Sequence, residues 1–433
     1  MKKIFLLFTL LFLSTQILYC DVLKGVNFMK FRNGLTTILK KDTSVPIVSV
    51  YIWVKVGSIN EKPEQAGLSH FIEHLVFKGT KKYPGNTEIM ENIENMGGYV
   101  NAATSKEYTC FYIDIQKDGY IQAIKMLSDM VTNPLFPEKE ILPERKVVIE
   151  EIQRHKDNPH SRLFEQFMTT IYKNAAYKNS VIGSEDVIAN ISREEIMKYF
   201  KQYYIPSRMV IAVVGDIDLQ ETKEVISETL GINKNTDSDT IEPLIIENNT
   251  TGNESISEDK LTHTYMLAGF LGPDMASEDI YVADVALNIL GSGKSSRLNK
   301  VLKEEKQLVY SISSSFMTLH GTGTSYISAI FEKEKYEEIL KALIEELDKF
   351  TENGPTQEEL QKIKINMKAD WLFSLQTVNE QASSLGYWKL FNHLEVFENY
   401  LANIEKVTIE DVKKFMKKYY SKDNLSKVVV FPK

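Results

Sequence analysis

Cysteine is nearly absent from this chain of 433 residues: there are two, Cys20 and Cys110. Cys20 closes an N-terminal segment that reads as removable or lipid-bearing, which leaves Cys110 without a partner. Neither a disulfide framework nor a cysteine-based zinc site is then available. The fold must stand on its core, and a composition of 43% hydrophobic and 25% charged residues supplies ordinary globular material for one. A basic surplus is also missing. The formal net charge of −8 argues against a nucleic-acid binder, which needs a basic face.

The first twenty residues, MKKIFLLFTLLFLSTQILYC, stand apart. Lys2 and Lys3 precede an apolar run from Ile4 to Leu13, and Ser14, Thr15 and Gln16 follow. The pattern reads as a secretory signal peptide over residues 1–20, too short and wrongly flanked for a spanning helix. It predicts export, to a periplasm or beyond. An uncleaved anchor is one alternative. Lipidation at Cys20 is another, although bulky Tyr19 is a poor fit to a small-residue cleavage site.

What is present in quantity is self-similarity. ISREEIMKYFKQYYIPSRMVIAVVGD (191–216) and VTIEDVKKFMKKYYSKDNLSKVVVFPK (407–433) share one plan. Each opens with a capping-box pair, Ser192 with Glu195 and Thr408 with Asp411. Each runs through an amphipathic helix to a Tyr-Tyr pair, then turns into a β-branched strand. The offset between Ser192 and Thr408 is half the chain. Earlier parts agree: Asp118–Glu151 and Lys333–Met367 both read as two helices around a proline-marked turn. VPIVSVYIWVKVG (45–57) and LTHTYMLAGFLG (261–272) both read as half-buried strands. Polar, aperiodic residues 233–260 read as a linker. The expectation is α+β: two duplicated domains, 21–232 and 261–433, each an antiparallel-rich sheet with helices packed on one face, facing each other across a cavity.

Histidine is scarce too, seven in all, yet two fall inside SHFIEHLVFKG, residues 69–79. On a helix His70, Glu73 and His74 stand at i, i+3 and i+4 and share a face. Two imidazoles one turn apart reach one metal ion. A hydrolytic zinc needs a third protein ligand and an open position for water. Glu73 sits beside the two histidines, placed to take a proton from that water. The spacing H-x-x-E-H is a specific zinc-hydrolase signature, although histidines at this spacing also occur on ordinary helices. For the third ligand, ILPERKVVIEEIQRHKD (141–157) offers Glu150 and Glu151. Read as a helix with Val147, Val148 and Ile152 buried, it turns Glu151 along the buried stripe and Glu150 toward water. An inward carboxylate is costly unless paired or metal-bound. Glu151 is therefore the expected ligand, and Glu144, two turns earlier on the same face, its expected support.

His70-x-x-Glu73-His74 followed by Glu151 inside ERKVVIEE resembles the pitrilysin/insulinase family of zinc metallopeptidases, the inverzincins. Length and duplication resemble its smaller bacterial branch, similar to the mitochondrial processing peptidase. NGLTTILKKD, MGGYVNAATSKEYTCFY (96–112) and GSGKSSRLNKVLKEEKQLVYSISSSF (291–316) look like segments of that branch. The resemblance implies a zinc metalloendopeptidase acting on peptides or unfolded segments, with one zinc per chain held by His70, His74 and Glu151. Glu73 matches the general base. Asn101 and Ala102 match an edge strand where substrate adds as an extra β-strand. Tyr310 matches a second-domain tyrosine that holds substrate and stabilises the oxyanion. Seven residues before it the family usually carries arginine. Here Lys303 stands there, which keeps the charge and loses the forked geometry. Some members of the branch work as pairs of subunits, so the resemblance implies a homodimer or a mixed pair. The rival reading is a non-catalytic scaffold or peptide-binding subunit of the same fold.

Overall fold

The computed structural model describes residues 22–172, 176–234 and 252–433. The signal-peptide reading and Cys20 lie outside the described residues, as does most of the segment read as a linker.

Two sheets carry the fold. The first has strands β1 (Val26–Lys30), β2 (Thr36–Lys41), β3 (Ile47–Val54), β4 (Tyr99–Thr104), β5 (Thr109–Gln116) and β6 (Met209–Gly215). Its order is β1-β2-β6-β3-β5-β4. The second has β7 (Glu254–Asp259), β8 (Thr264–Gly272), β9 (Val309–Met317), β10 (Gly323–Phe331) and β11 (Ser426–Pro432), in the order β7-β11-β8-β10-β9. The duplication is complete at the level of pairing. β2 lies parallel to β6 as β7 lies parallel to β11, and every later neighbour in both sheets is antiparallel. Only β1 has no counterpart among the described strands. The capping boxes at Ser192 and Thr408 form as read, opening the helices Arg193–Tyr203 and Ile409–Tyr419.

Strand β7 corrects the linker. ESISED is polar but for one exposed isoleucine, Ile256, so it carries little apolar signal, yet it pairs with β11 from Lys427 to Pro432. An edge strand needs only one buried face to be held.

The second face of each sheet is also covered, by a helix of the other half. In β3, Val48, Val50, Ile52 and Val54 join the core of the first half, while Tyr51 and Trp53, 5% and 4% exposed, point the other way. That second face, with Val210, Ala212 and Val214 of β6, is covered by the helix Val378–Leu390 of the second half. Gly386 permits the approach: a Cβ there would lie 2.2 Å from Nε1 of Trp53. The exchange is reciprocal. The helix Pro159–Ile171 of the first half lays Leu163, Phe167 and Met168 on Leu267 of β8 and Val428 and Val430 of β11. The strands read as half-buried are therefore buried on both faces along most of their length. Each half covers the other's sheet, and at these two contacts the halves meet through packed apolar side chains. Cys110 takes its place in this second-face cluster, buried and without a disulfide.

Candidate metal centre

The motif helix runs Leu68–Val76. Leu68, Phe71, Ile72 and Leu75 bury one face in the core, which leaves His70, Glu73 and His74 on the adjoining face. Its start is fixed by an acid the sequence did not flag. The carboxylate of Glu61 accepts from the N–H groups of Gly67 and Ser69, both at 2.7 Å. Burial pushes the Glu61 carboxyl up to about 7 against these two bonds. Gly67 has a φ of 93°, in the left-handed region, and an added Cβ there would stand 2.8 Å from the Cα of Gly183.

The long helix Glu138–Asp157 packs against this one and brings the third donor. Its buried line is Ile141, Glu144, Val148 and Ile152. Val147, read as part of the buried stripe, is 41% exposed: it falls at i−1 from Val148 and so a hundred degrees round the helix. The choice between the two glutamates survives this, since Glu150 is exposed and Glu151 is partly buried toward the histidines. Glu151 Oε2 lies 3.5 Å from His74 Nε2 and 3.9 Å from His70 Nε2. One donor atom from each of the three residues falls within 4.8 Å of the others. Donors held about 2.1 Å from a tetrahedral zinc lie roughly 3.4 Å apart, so the set fits the ion in both chemistry and spacing.

The surroundings prepare the donors. Nδ1–H of His74 donates to Glu144 Oε1 at 2.8 Å, the tautomer that turns the bare Nε2 toward Glu151. Glu144 also pairs with Lys78. Burial would lower His74, but the bond to Glu144 and the charges of Glu151 and Glu73 outweigh it, and the net shift is upward. For Glu144 burial is likewise outweighed, by His74 and Lys78, and the carboxyl is held below its usual range. His70 has no such acid. Burial and the neighbouring His74 lower it to about 4, which keeps the ring neutral, the state a ligand requires. Glu73 stays outside the donor set. Its Oε2 accepts from the Thr104 hydroxyl at 2.6 Å, and burial raises its carboxyl despite that bond.

Thr104 ends β4, the outermost strand of the first sheet, which pairs only with β5 among the described strands. Asn101 and Ala102 lie on the same strand. The Ala102 N–H donates to the Asn101 side chain at 2.9 Å, and that side chain donates in turn to the Tyr99 hydroxyl. So six residues converge: His70, His74, Glu151, Glu73, Glu144 and, unforeseen, Thr104. Thr104 was within reach of the sequence, two positions past Ala102 and hence on its face. Lys78, at i+4 from His74, was equally so.

Two expected residues stand elsewhere. Tyr310 lies on β9, the outermost strand of the second sheet, 53% exposed, with its hydroxyl on Glu332 and its ring 4.6 Å from that of His263. Lys303 lies in the π-helical turn Asn299–Glu305. Among the described residues no hydrogen bond, ion pair or ring contact joins either one to the His70 cluster.

Residues 36–185 match the family described as insulinase (peptidase family M16), and residues 190–367 match the one described as peptidase M16 inactive domain. The chain is 29% identical over 394 residues to a protein of Bacillus subtilis named uncharacterized zinc protease YmxG, covering 90% of this chain and 95% of that one. It is 28% identical to the zinc protease PqqE of Helicobacter pylori, with 92% and 90% covered. The solved structure of a protease from Helicobacter pylori superposes with a TM-score of 0.88 at 26% identity, covering 94% of this chain and 99% of that one.

Proposed function

The chain belongs to the insulinase family of peptidases (peptidase family M16), and from that premise we propose that it is a zinc-dependent endopeptidase acting on peptides and unfolded segments. One observation carries the reading. Two imidazole nitrogens and a carboxylate oxygen gather within 4.8 Å of one another, while a fourth side chain, the acid Glu73, sits one position off the row with its own hydrogen bond. A purely structural zinc is closed by four ligands, whereas three ligands and a free base suit hydrolysis.

His70, His74 and Glu151 hold the ion. The chemistry zinc supplies there is Lewis acidity, which polarises a scissile carbonyl and makes a water easier to deprotonate. Glu73 takes the proton of the attacking water on its carboxylate and returns it to the leaving amine nitrogen. Thr104 aims that carboxylate. Glu144 aims His74. The free edge of β4 receives the substrate backbone as an added strand, with Asn101 yielding the N–H of Ala102 to it. This mode admits extended chain and excludes folded protein.

Tyr310 and Lys303 take part from a second subunit, either another copy of this chain or a relative, since among the described residues no contact joins them to the zinc site of their own chain. Their role is to grip substrate and stabilise the oxyanion. The leader-like residues 1–20 extend the proposal to an exported enzyme. The test is hydrolysis of an unstructured, internally quenched peptide by the purified chain. Cleavage is expected, lost with a chelator and restored by added zinc. Cleavage indifferent to the chelator contradicts the reading.

A further inference from the structure

We propose that the second half carries a binding pocket for an alkylammonium cation, walled by Trp371, Trp388, Phe397 and Tyr400 and charged by Asp284 and Asp370. The cavity measures about 420 Å³, the size of a small-ligand site. It opens between the helices Asp279–Gly291, Gln357–Phe373 and Val378–Leu390. No contact joins it to the His70 cluster among the described residues, so it is independent of the peptidase reading.

Three features select the ligand. The walls are aromatic: the Trp371 and Phe397 rings lie 5.8 Å apart at 42°, and Trp388 and Tyr400 complete them. Ring faces carry negative quadrupole density and attract desolvated cations. The charge is of one sign, because no lysine, arginine or histidine lines the cavity beside the two aspartates. Finally, Asp284 is left without a counter-charge. Its Oδ2 accepts from the Tyr400 hydroxyl at 2.9 Å, and no ion pair to it occurs among the described residues. Burial raises its carboxyl to about 6, so at neutral pH it is ionised in a site that does not pair it. An ammonium group supplies that charge, and its alkyl part fills the aromatic walls. A neutral guest of the same shape leaves the carboxylate unpaired, and an anion is repelled.

The chain itself provides the readout. It has three tryptophans, and two of them, Trp371 and Trp388, line this cavity. Intrinsic fluorescence of the full chain is followed while choline, n-butylammonium or the neutral 3,3-dimethylbutan-1-ol is added at constant ionic strength. A saturable change is expected with at least one cation, the tighter of the two naming the headgroup as quaternary or primary. The neutral alcohol is expected to give none. Asp284→Asn is expected to weaken the cation at least tenfold. Should circular dichroism find that variant unfolded, Asp370→Asn at the exposed rim is read for the same weakening. The proposal is overturned if neither cation saturates, if the alcohol matches them, or if the folded aspartate variant binds as the wild type does.

Discussion

At the scale of single residues, the centre depends on which atom of each side chain is free. His74 Nε2 faces Glu151 because Nδ1–H is committed to Glu144, and Glu144 is in turn held by Lys78. Glu144→Gln leaves an acceptor for the imidazole but removes the charge that makes it a better donor to metal. Zinc affinity is expected to fall roughly tenfold or more, measured by competition with a chromogenic chelator. An unchanged affinity would contradict the assigned role of Glu144. Much of this site was legible in the sequence. The spacing of His70, Glu73 and His74 put three groups on one helical face, and helical phase separated Glu151 from Glu150. Thr104 and Glu61 were not flagged, because each reaches the motif helix from another segment, and spacing along one helix says nothing about what packs beside it. Val147 shows the limit of the phase argument: two adjacent valines cannot both face inward, and the inward one is Val148.

At the scale of elements, the motif helix is positioned from its first turn. Gly67 holds a left-handed backbone with φ of 93° and leaves no room for a Cβ beside Gly183, while Glu61 satisfies the N–H groups that open the helix. Gly67→Ala adds strain of about 1–2 kcal/mol from the backbone alone, before the collision is counted. The expected result is a lower urea midpoint together with weaker zinc binding, since the helix that carries both histidines must shift. Loss of stability with zinc affinity intact would show that the turn does not set the site. One edge strand was illegible in the sequence. β7 hid in a polar stretch because its exposed face carries no apolar demand. β3 and β8 were found, but alternation was taken to mean one wet face, and both faces turned out to be buried. A periodic pattern tells which face of an element is apolar and not which partner will cover it, so the exchange of helices 159–171 and 378–390 was invisible until the sheets were seen together.

At the scale of the whole molecule, the two halves are held by buried contacts that include titratable groups. Glu107, 4% exposed, accepts from the His320 N–H across the junction at 3.1 Å and from the Tyr177 hydroxyl of its own half at 2.7 Å. Burial raises its carboxyl above 4.5, although these bonds and Lys55 oppose the shift. A raised carboxyl keeps its proton in the fold to higher pH than in the unfolded chain. The stability this gives is fully present below 4.5 and is lost as pH rises through the folded value. Glu107→Gln, which cannot ionise, is expected to lose less stability between pH 5 and pH 8 than the wild type in urea unfolding. An equal loss would remove Glu107 from the account. The duplication leaves one half with the H-x-x-E-H motif and the other with Tyr310 on a separate sheet and Lys303 in a helical turn before it. In the proposed function it is the first half, with Glu73 as base, that carries out the hydrolysis. The most direct measurement is therefore made on Glu73→Gln, with zinc content and cleavage of the quenched peptide determined on the same preparation. The account predicts one zinc per chain, as in the wild type, and cleavage reduced at least a hundredfold. Cleavage at the wild-type rate with zinc in place would contradict it.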